Sequence, residues 1–465
     1  MNAALTAILI AVCGMVVFLA PAKGPGAIAI GALFAAPSLI VLARHDKRSF
    51  LLRLFVAAVI IRMVLAFVIF SGRMEEFFGG DANTYDHFGL SLIESWGGDP
   101  FHRATYEHFV NSGAGAWGMI YLVAGVYKLI GPNMLAIQFI NVSVGAATAG
   151  IIFEISQSLF NNIRVSKLAA FLTAFFPSLI LWSSQALKDG LIVMALALGI
   201  LATLRLVKQV EPRWIAVLTG CLLVLISFRF YIFYMMAAAV VGAFIVGMKS
   251  SNAKAFLQRF VAVVLIGLAM TWFGVLRSAT QQLDRFANLE AIQRSRADMA
   301  QSAESGFGKD VDVRSTTGAL TVIPIGLLYL MFAPFPWQLA SLRQSIALPE
   351  MIIWWCCFPL LILGLWYGIK HRLQQISPIL IFTSMLTLAY SVFQGNVGTA
   401  YRQRSQLLVF YFIFVAVGAI LLKERAESKQ HAQLLEKQRV ADLRAARLLA
   451  RRQALESRTT VTTTQ

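Results

Sequence analysis

Apolar runs close to 20 residues long recur along the chain, separated by short polar connections. The hydrocarbon core of a bilayer, about 30 Å thick, is crossed by about 20 apolar residues in helical form. On that ruler twelve spans fall near residues 1–20, 27–43, 51–71, 133–160, 166–182, 188–206, 214–229, 231–248, 259–275, 350–369, 376–394 and 406–422. The pattern predicts an all-α polytopic membrane protein, a bundle of about twelve transmembrane helices with the bilayer as its solvent. Residues 1–20 have no Lys or Arg ahead of their apolar part, which argues against a cleaved signal peptide, so they are read as the first span.

Short connections rich in Lys and Arg stay cytoplasmic. Arg44, Lys47, Arg48 and Arg53, then Arg164 and Lys167, Arg205, Lys208 and Arg213, Lys249, Lys254 and Arg259, and Lys370 and Arg372 mark alternate connections as inner and put both termini in the cytoplasm. Three outer segments exceed simple turns: 72–132, 276–349 and the shorter 395–405. Apolar stretches inside the first two, Ala116 to Ile130 and Ala319 to Trp337, must be in-plane or re-entrant to keep that alternation. No inverted repeat of the transporter type is visible. The chain thus divides into an N-terminal helical hairpin (1–50), a main membrane domain (51–422) and a basic tail (423–465). From Lys423 to Arg458 the tail carries ten basic and five acidic residues and should be helical. Its apolar residues do not hold a heptad, which argues against a coiled coil, and a basic helix along anionic inner-leaflet lipid is the expectation.

Composition narrows the class. Of 465 residues, 58% are hydrophobic and 14% charged, against about 25% charged in soluble domains. A formal charge of +17, from 40 Lys+Arg and 23 Asp+Glu, is spread between apolar runs rather than gathered in one patch, which excludes a disordered chain and a nucleic-acid partner. Cys13, Cys221, Cys356 and Cys357 lie in apolar segments without metal-ligand spacing, as small buried hydrophobes.

Chemistry concentrates in the first outer segment, which opens as Gly79-Gly80-Asp81-Ala82-Asn83-Thr84-Tyr85-Asp86 and continues through Glu94, Asp99, His102 and Glu107. A carboxylate at the membrane boundary accepts a proton from a sugar hydroxyl or holds a divalent cation, and glycines admit a ligand close to the backbone. Asp81 is the favoured functional carboxylate. Asp86 reads equally as a turn or helix cap or as a second carboxylate sharing a cation with Asp81; no third ligand is identifiable, so the metal stays unassigned and no cofactor is required.

Here the chain resembles a family. The early Gly-Asp-Ala-x-x-Tyr element follows a span. An apolar in-plane segment then ends in Gly131 and leads into a span with Gln138 and Asn141. Phe176-Pro177-Ser178 runs through Trp182-Ser183 to Leu187-Lys188-Asp189, and Asn396-Val397-Gly398-Thr399-Ala400-Tyr401-Arg402-Gln403-Arg404 precedes the last span. Together these resemble the membrane glycosyltransferases of the GT-C fold, nearest to bacterial relatives of the protein O-mannosyltransferase and aminoarabinose-transferase group (glycosyltransferase family 39-like). The resemblance covers roughly residues 50–422. It implies a transferase that takes a sugar from a polyprenyl-phosphate carrier on the outer face of a bacterial inner membrane, for a glycan, lipid or protein acceptor of the envelope. It places the general base at Asp81 and the lipid phosphate on Lys188, Arg402 and Arg404. Two spans precede the one before the catalytic segment and depart from the pattern.

The same residues make chemical sense unaided, because displacing phosphate from an anomeric carbon builds negative charge that positioned cations stabilise. Asp189 at a helix N-terminus is explained by the helix dipole, whereas Lys188 opposes it and calls for an anion. Two arginines in the outer turn 395–405 either snorkel to lipid phosphate or, beside glycines, cradle a phosphate. Arg62, near mid-span, needs a mate among the loop carboxylates or Glu154. Arg229, flanked by aromatics, is an interfacial anchor and a second-tier phosphate contact. Tyr85, Trp337 and Tyr401 are candidates for a sugar or lipid groove, with Pro334-Phe335-Pro336-Trp337 a rigid turn. His87, His102 and His108 lack metal-site spacing and read as solvated. Two other functions fit the same pattern less well: a polysaccharide polymerase or ligase consuming a diphosphate-linked oligosaccharide, and a transporter or lipid flippase, which would bury its charges at mid-membrane.

Overall fold

A computed structural model describes residues 3–78, 80–111, 117–248, 253–275, 289–301, 306–308, 312–339 and 341–462. Its helices, in chain order, are α1 (Ala3–Leu19), α2 (Gly24–Ala43), α3 (Arg48–Ser71), α4 (Glu75–Phe78), α5 (Asp81–Trp96), α6 (Pro100–Asn111), α7 (Trp117–Ile130), α8 (Met134–Phe160), α9 (Ile163–Phe175), α10 (Pro177–Trp182), α11 (Asp189–Lys208), α12 (Pro212–Met248), α13 (Ala253–Trp272), α14 (Leu289–Gln301), α15 (Thr316–Phe332), α16 (Leu342–Phe393) and α17 (Val397–Thr462). Among the described residues there is no strand, only an isolated bridge between Gly306 and Asn396. Among the described residues seven helices, α2, α3, α8, α11, α12, α16 and α17, are long and apolar enough to cross a membrane, and α1, α7, α13 and α15 contribute shorter apolar stretches. The protein is an all-α polytopic integral membrane protein.

Two of the long helices turn back on themselves. Arg229 leaves helical geometry inside α12 (φ −154°, ψ 89°). Leu218, Cys221 and Met236, on either side of it, all approach Gly199 of α11, so the two arms are antiparallel. Arg372 (φ −139°, ψ 22°) does the same in α16. The arm before it runs alongside α17, pairing Glu350 with Tyr401 and Leu360 with Gly418. The arm after it runs against α17, pairing Thr387 with Tyr411 and Tyr390 with Gln406. These arms are the separate spans expected at 214–229, 231–248, 350–369 and 376–394.

Other elements differ from the pattern-based expectation. The span at 166–182 is broken, because Phe176 takes the extended conformation (ψ 128°) that a following proline enforces, ending α9 and starting α10. Residues 397–405, expected in an outer turn, already belong to α17; the Asn396 side chain accepts from the Gly398 amide at 2.7 Å and starts the helix. The tail does not start a helix of its own: α17 continues without a break from the bundle to Thr462 and carries the tail with it.

Helix α8 is buried nearly all round, Gln138 and Asn141 included, and packs on α2, α3, α9 and α11. The N-terminal pair α1–α2, whose role the sequence left open, leans on α3 and α8 and walls an apolar cavity of about 160 Å³ lined by Leu9, Cys13, Ile28, Phe55, Met63 and Phe139 among others. One end of the bundle gathers the basic connections: Glu154 binds His45 (2.6 Å) and Arg205 (2.8 Å), Arg164 binds Glu427 (2.8 Å), and Arg259 donates to the Val207 carbonyl (2.6 Å).

Small residues set the closest crossings, as in other membrane bundles. A Cβ at Gly418 would lie 2.1 Å from the Leu360 carbonyl oxygen, and one at Gly364 would lie 1.9 Å from that of Phe414. Gly418→Val should therefore push α17 off the first arm of α16 and cost about 1–3 kcal/mol. Thermal unfolding in detergent should show a lowered midpoint, with Gly418→Ala in between; an unchanged midpoint for both would contradict the crossing.

Candidate active site

The first residue of α5, the first of α11 and the second turn of α17 meet at the end of the bundle opposite the basic connections. Asp81 opens α5 directly after Gly80, whose φ of +67° is a left-handed turn open to glycine. Asp189 opens α11, where the helix dipole favours negative charge. Arg402 joins them: Nη1 donates to Asp81 Oδ2 at 2.6 Å, while Nε and Nη2 donate to Asp189 Oδ2 at 2.8 and 2.5 Å. Arg229, at the turn of α12, adds an ion pair to Asp189 Oδ1 (3.6 Å) and donates to the Tyr231 hydroxyl (3.2 Å).

Depth grades across this cluster. The Asp189 side chain is 1% exposed, Arg402 12% and Asp81 46%, so the ion network runs from the interior to an open carboxylate. A buried carboxylate is tolerable only when paired, and two guanidiniums meet that need for Asp189. Trp182 lies under the Arg402 guanidinium (5.7 Å), and Tyr401 packs edge-on to Trp182 (6.1 Å). Lys188, immediately before Asp189, has its ammonium over the Tyr85 ring at 5.7 Å and makes no hydrogen bond or ion pair among the described residues. Three basic side chains thus face two carboxylates; Lys188 is the one outside the ion pairs, and burial lowers the pKa of its ammonium to about 7. Below Asp189 lies a cavity of about 20 Å³, bordered by Arg62, Ser183 and Ser405 and too small for a sugar.

Other expected site residues fall elsewhere. Arg404 is fully buried and donates to the carbonyls of Leu330 (3.4 Å), Met331 (3.0 Å) and Ala333 (3.2 Å), tying α15 to α17. Its position two residues after Arg402 turns it about 200° away on the helix. Asp86 accepts a hydrogen bond from the Tyr127 hydroxyl and so braces α5 on α7 instead of facing Asp81. Close by in α4, burial pushes the Glu75 carboxyl above its usual range, and Asp86 adds to it. Among the described residues no cluster of three or more metal-ligating side chains exists, and His102 pairs with Asp99 (3.0 Å). Tyr401 keeps its hydroxyl for Glu350 (2.7 Å), while Trp337 is exposed and stacks on Phe335, itself in a separate group with Phe307 and Ala333. Arg62 finds neither Glu154 nor a loop carboxylate. It donates to Ser183 Oγ (2.8 Å) and to the Ala174 carbonyl (2.7 Å), an acceptor near the end of α9 that the break at Phe176 leaves without a helical partner.

Residues 116–273 match the family described as dolichyl-phosphate-mannose-protein mannosyltransferase. The match covers about a third of the chain and supports a GT-C glycosyltransferase fold. On a chain of membrane-spanning helices it supports a membrane glycosyltransferase served by a lipid-linked sugar donor. Lys188, Asp189 and Arg229 lie inside the matched stretch; Asp81 and Arg402 lie outside it and join it only through the fold. No curated protein matches the chain.

The separation of the two arginines is testable. Arg404→Met removes the donor to three buried carbonyls and should cost about 1.5–3 kcal/mol. Lys188→Gln removes no hydrogen bond and should leave stability within about 0.5 kcal/mol of the parent. Unfolding midpoints in detergent compare the two, and equal losses would erase the distinction.

Proposed function

We propose that this chain transfers a sugar from a polyprenyl-phosphate carrier to a glycan, lipid or protein acceptor of a bacterial envelope, at the periplasmic face of the inner membrane with both termini cytoplasmic. The observation that carries the reading is the half-exposed Asp81 held by Arg402 beside further cations. Asp81 is the general base. It takes the proton of the acceptor hydroxyl as that oxygen bonds to the anomeric carbon and the bond from that carbon to the phosphate oxygen breaks. The pairing with Arg402 holds the Asp81 carboxylate in place, and the half-exposed side chain leaves room for an acceptor to approach.

Negative charge then collects on the departing phosphate, and fixed cations in a water-poor site stabilise it more in the transition state than in the ground state. Arg402 already spends its donors on two carboxylates, so its part is to hold Asp81 in place. Lys188, whose ammonium lies over the Tyr85 ring outside the ion pairs, and Arg229 near it are the phosphate contacts. Tyr85 offers its ring as one wall of the donor site. A divalent cation is not needed for these roles. The concentration of basic residues at the opposite end of the bundle supports the assignment of that end to the cytoplasm.

Transfer from a synthetic polyprenyl-phosphate sugar in proteoliposomes tests the reading. Asp81→Asn should lower the rate by about 10²–10⁴ with the unfolding midpoint preserved. Lys188→Gln should raise the donor KM about tenfold, as expected for a lost charge-assisted contact. Parent-like rates in Asp81→Asn would sink the base assignment. Turnover of a diphosphate-linked oligosaccharide, with none of the monophosphate carrier, would move the chain to the polymerases or ligases.

A further inference from the structure

Helix α17 leaves the bundle and keeps going. Its last ties to the body are Asn162 to Glu424 (3.1 Å) and Arg164 to Glu427 (2.8 Å). From Arg425 to Leu443 every residue is exposed, with Leu434 at 59%, Leu435 at 52% and Leu443 at 54%. The 35 residues from Ser428 to Thr462 amount to about 50 Å of helix at 1.5 Å per residue. A helix that long with mostly polar sides gains most of its stability from a partner.

Counted over all apolar residues, the tail shows no heptad. One register does keep one. Leu434, Ala441, Leu448 and Leu455 recur every seven residues, and Gln438, Ala445 and Arg452 fall between them at alternating steps of four and three. These are the d and a positions of a coiled-coil seam, widened by Leu435 and Leu449 at e. In the same register every g position is basic, Lys437, Arg444, Arg451 and Arg458, while Asp442 and Glu456 occupy e.

We propose that the tail pairs with the tail of a second copy of this chain as a parallel, in-register two-stranded coiled coil. The charges select the partner and its direction. In a parallel pair, g of one helix meets e of the next heptad on the other, which sets Lys437 against Asp442 and Arg451 against Glu456 in both directions across the two-fold axis. In an antiparallel pair g meets g, and four basic residues would face four. Two copies inserted the same way in one bilayer have parallel tails, so the membrane imposes the orientation that the charges favour. Gln438 and Arg452 at a fix the register at a cost in stability. The seam therefore relies on the high effective concentration of two chains held in one membrane.

Cysteine cross-linking in native membranes tests this on the full chain, with Cys13, Cys221, Cys356 and Cys357 first replaced by Ala. Under mild oxidation, Ala441→Cys or Leu448→Cys at d should give a disulfide-linked dimer at about ten times the yield of Leu443→Cys or Ala450→Cys at f, because only d brings paired Cα atoms within disulfide range. In the Leu448→Cys background, Lys437→Glu with Arg451→Glu should abolish the dimer. Adding Asp442→Lys and Glu456→Lys to the same chain should restore it, a rescue that mere helix stability would not produce. Equal yields at d and f, no dimer at either, adducts to another protein in place of the dimer, or failure of the four-fold swap to restore it would overturn the proposal.

Discussion

The structure turns on one guanidinium. Arg402 holds Asp189 with two nitrogens and Asp81 with a third, and so fixes the starts of α5 and α11 to the second turn of α17. Positions 81, 189 and 402 are remote in sequence, and no apolar packing would bring three polar helix ends to one point. The interaction works because the charges complete one another: Asp189 could not stay buried as an anion without Arg402 and Arg229, and Arg402 could not stay buried as a cation without a carboxylate. Once that pair is formed in the interior, the third nitrogen has a defined direction, and Asp81 is held at its end.

This accounts for the division of labour among the cations. A guanidinium has its donors in a rigid planar fork, so Arg402 can bind two carboxylates at once and still keep a fixed plane over Trp182. Lys188 has a flexible stem and a compact head group, and lies over the Tyr85 ring outside the ion pairs. Of the two it is the one free to accept a new anion without breaking an existing bond. Asp189 lies in the interior and Asp81 is half-exposed, so the open face of the cluster is at Asp81.

Much of this could be read from the chain alone, for identifiable reasons. Membrane spans follow from apolar length, and even the hairpin arms of α12 and α16 were legible as separate spans. Arg402 stood out as a cation on the side where topology leaves few, and Asp81 as the carboxylate beside glycines at the opening of the first outer segment. Asp189 did not, since a carboxylate at a helix start has an adequate local explanation, and its burial comes from α17, more than 200 residues later. Arg404 was grouped with Arg402 because a loop lets neighbouring side chains share a face; the cap at Asn396 makes the segment helical, and residues two apart then point away from each other. The partner of Arg62 was out of reach for a related reason: its acceptors are a serine hydroxyl and a carbonyl released by a helix break, and hydropathy does not register freed backbone.

The last helix ties these levels together. Within one uninterrupted element, α17 carries Arg402 at the active-site end, a buried stretch from Leu407 to Val417 in the bundle, and the charged tail beyond the opposite end. An α-helix is stiff along its axis, and close crossings at Gly364 and Gly418 lock this one to α16. Whatever grips the tail therefore acts on the same rigid body that positions Arg402, whereas a tail joined through a loop would be mechanically separate from the site. A partner for the tail and the placement of Asp81 and Asp189 are thus coupled through backbone geometry, with Arg164 and Glu427 marking the point where the helix leaves the bundle.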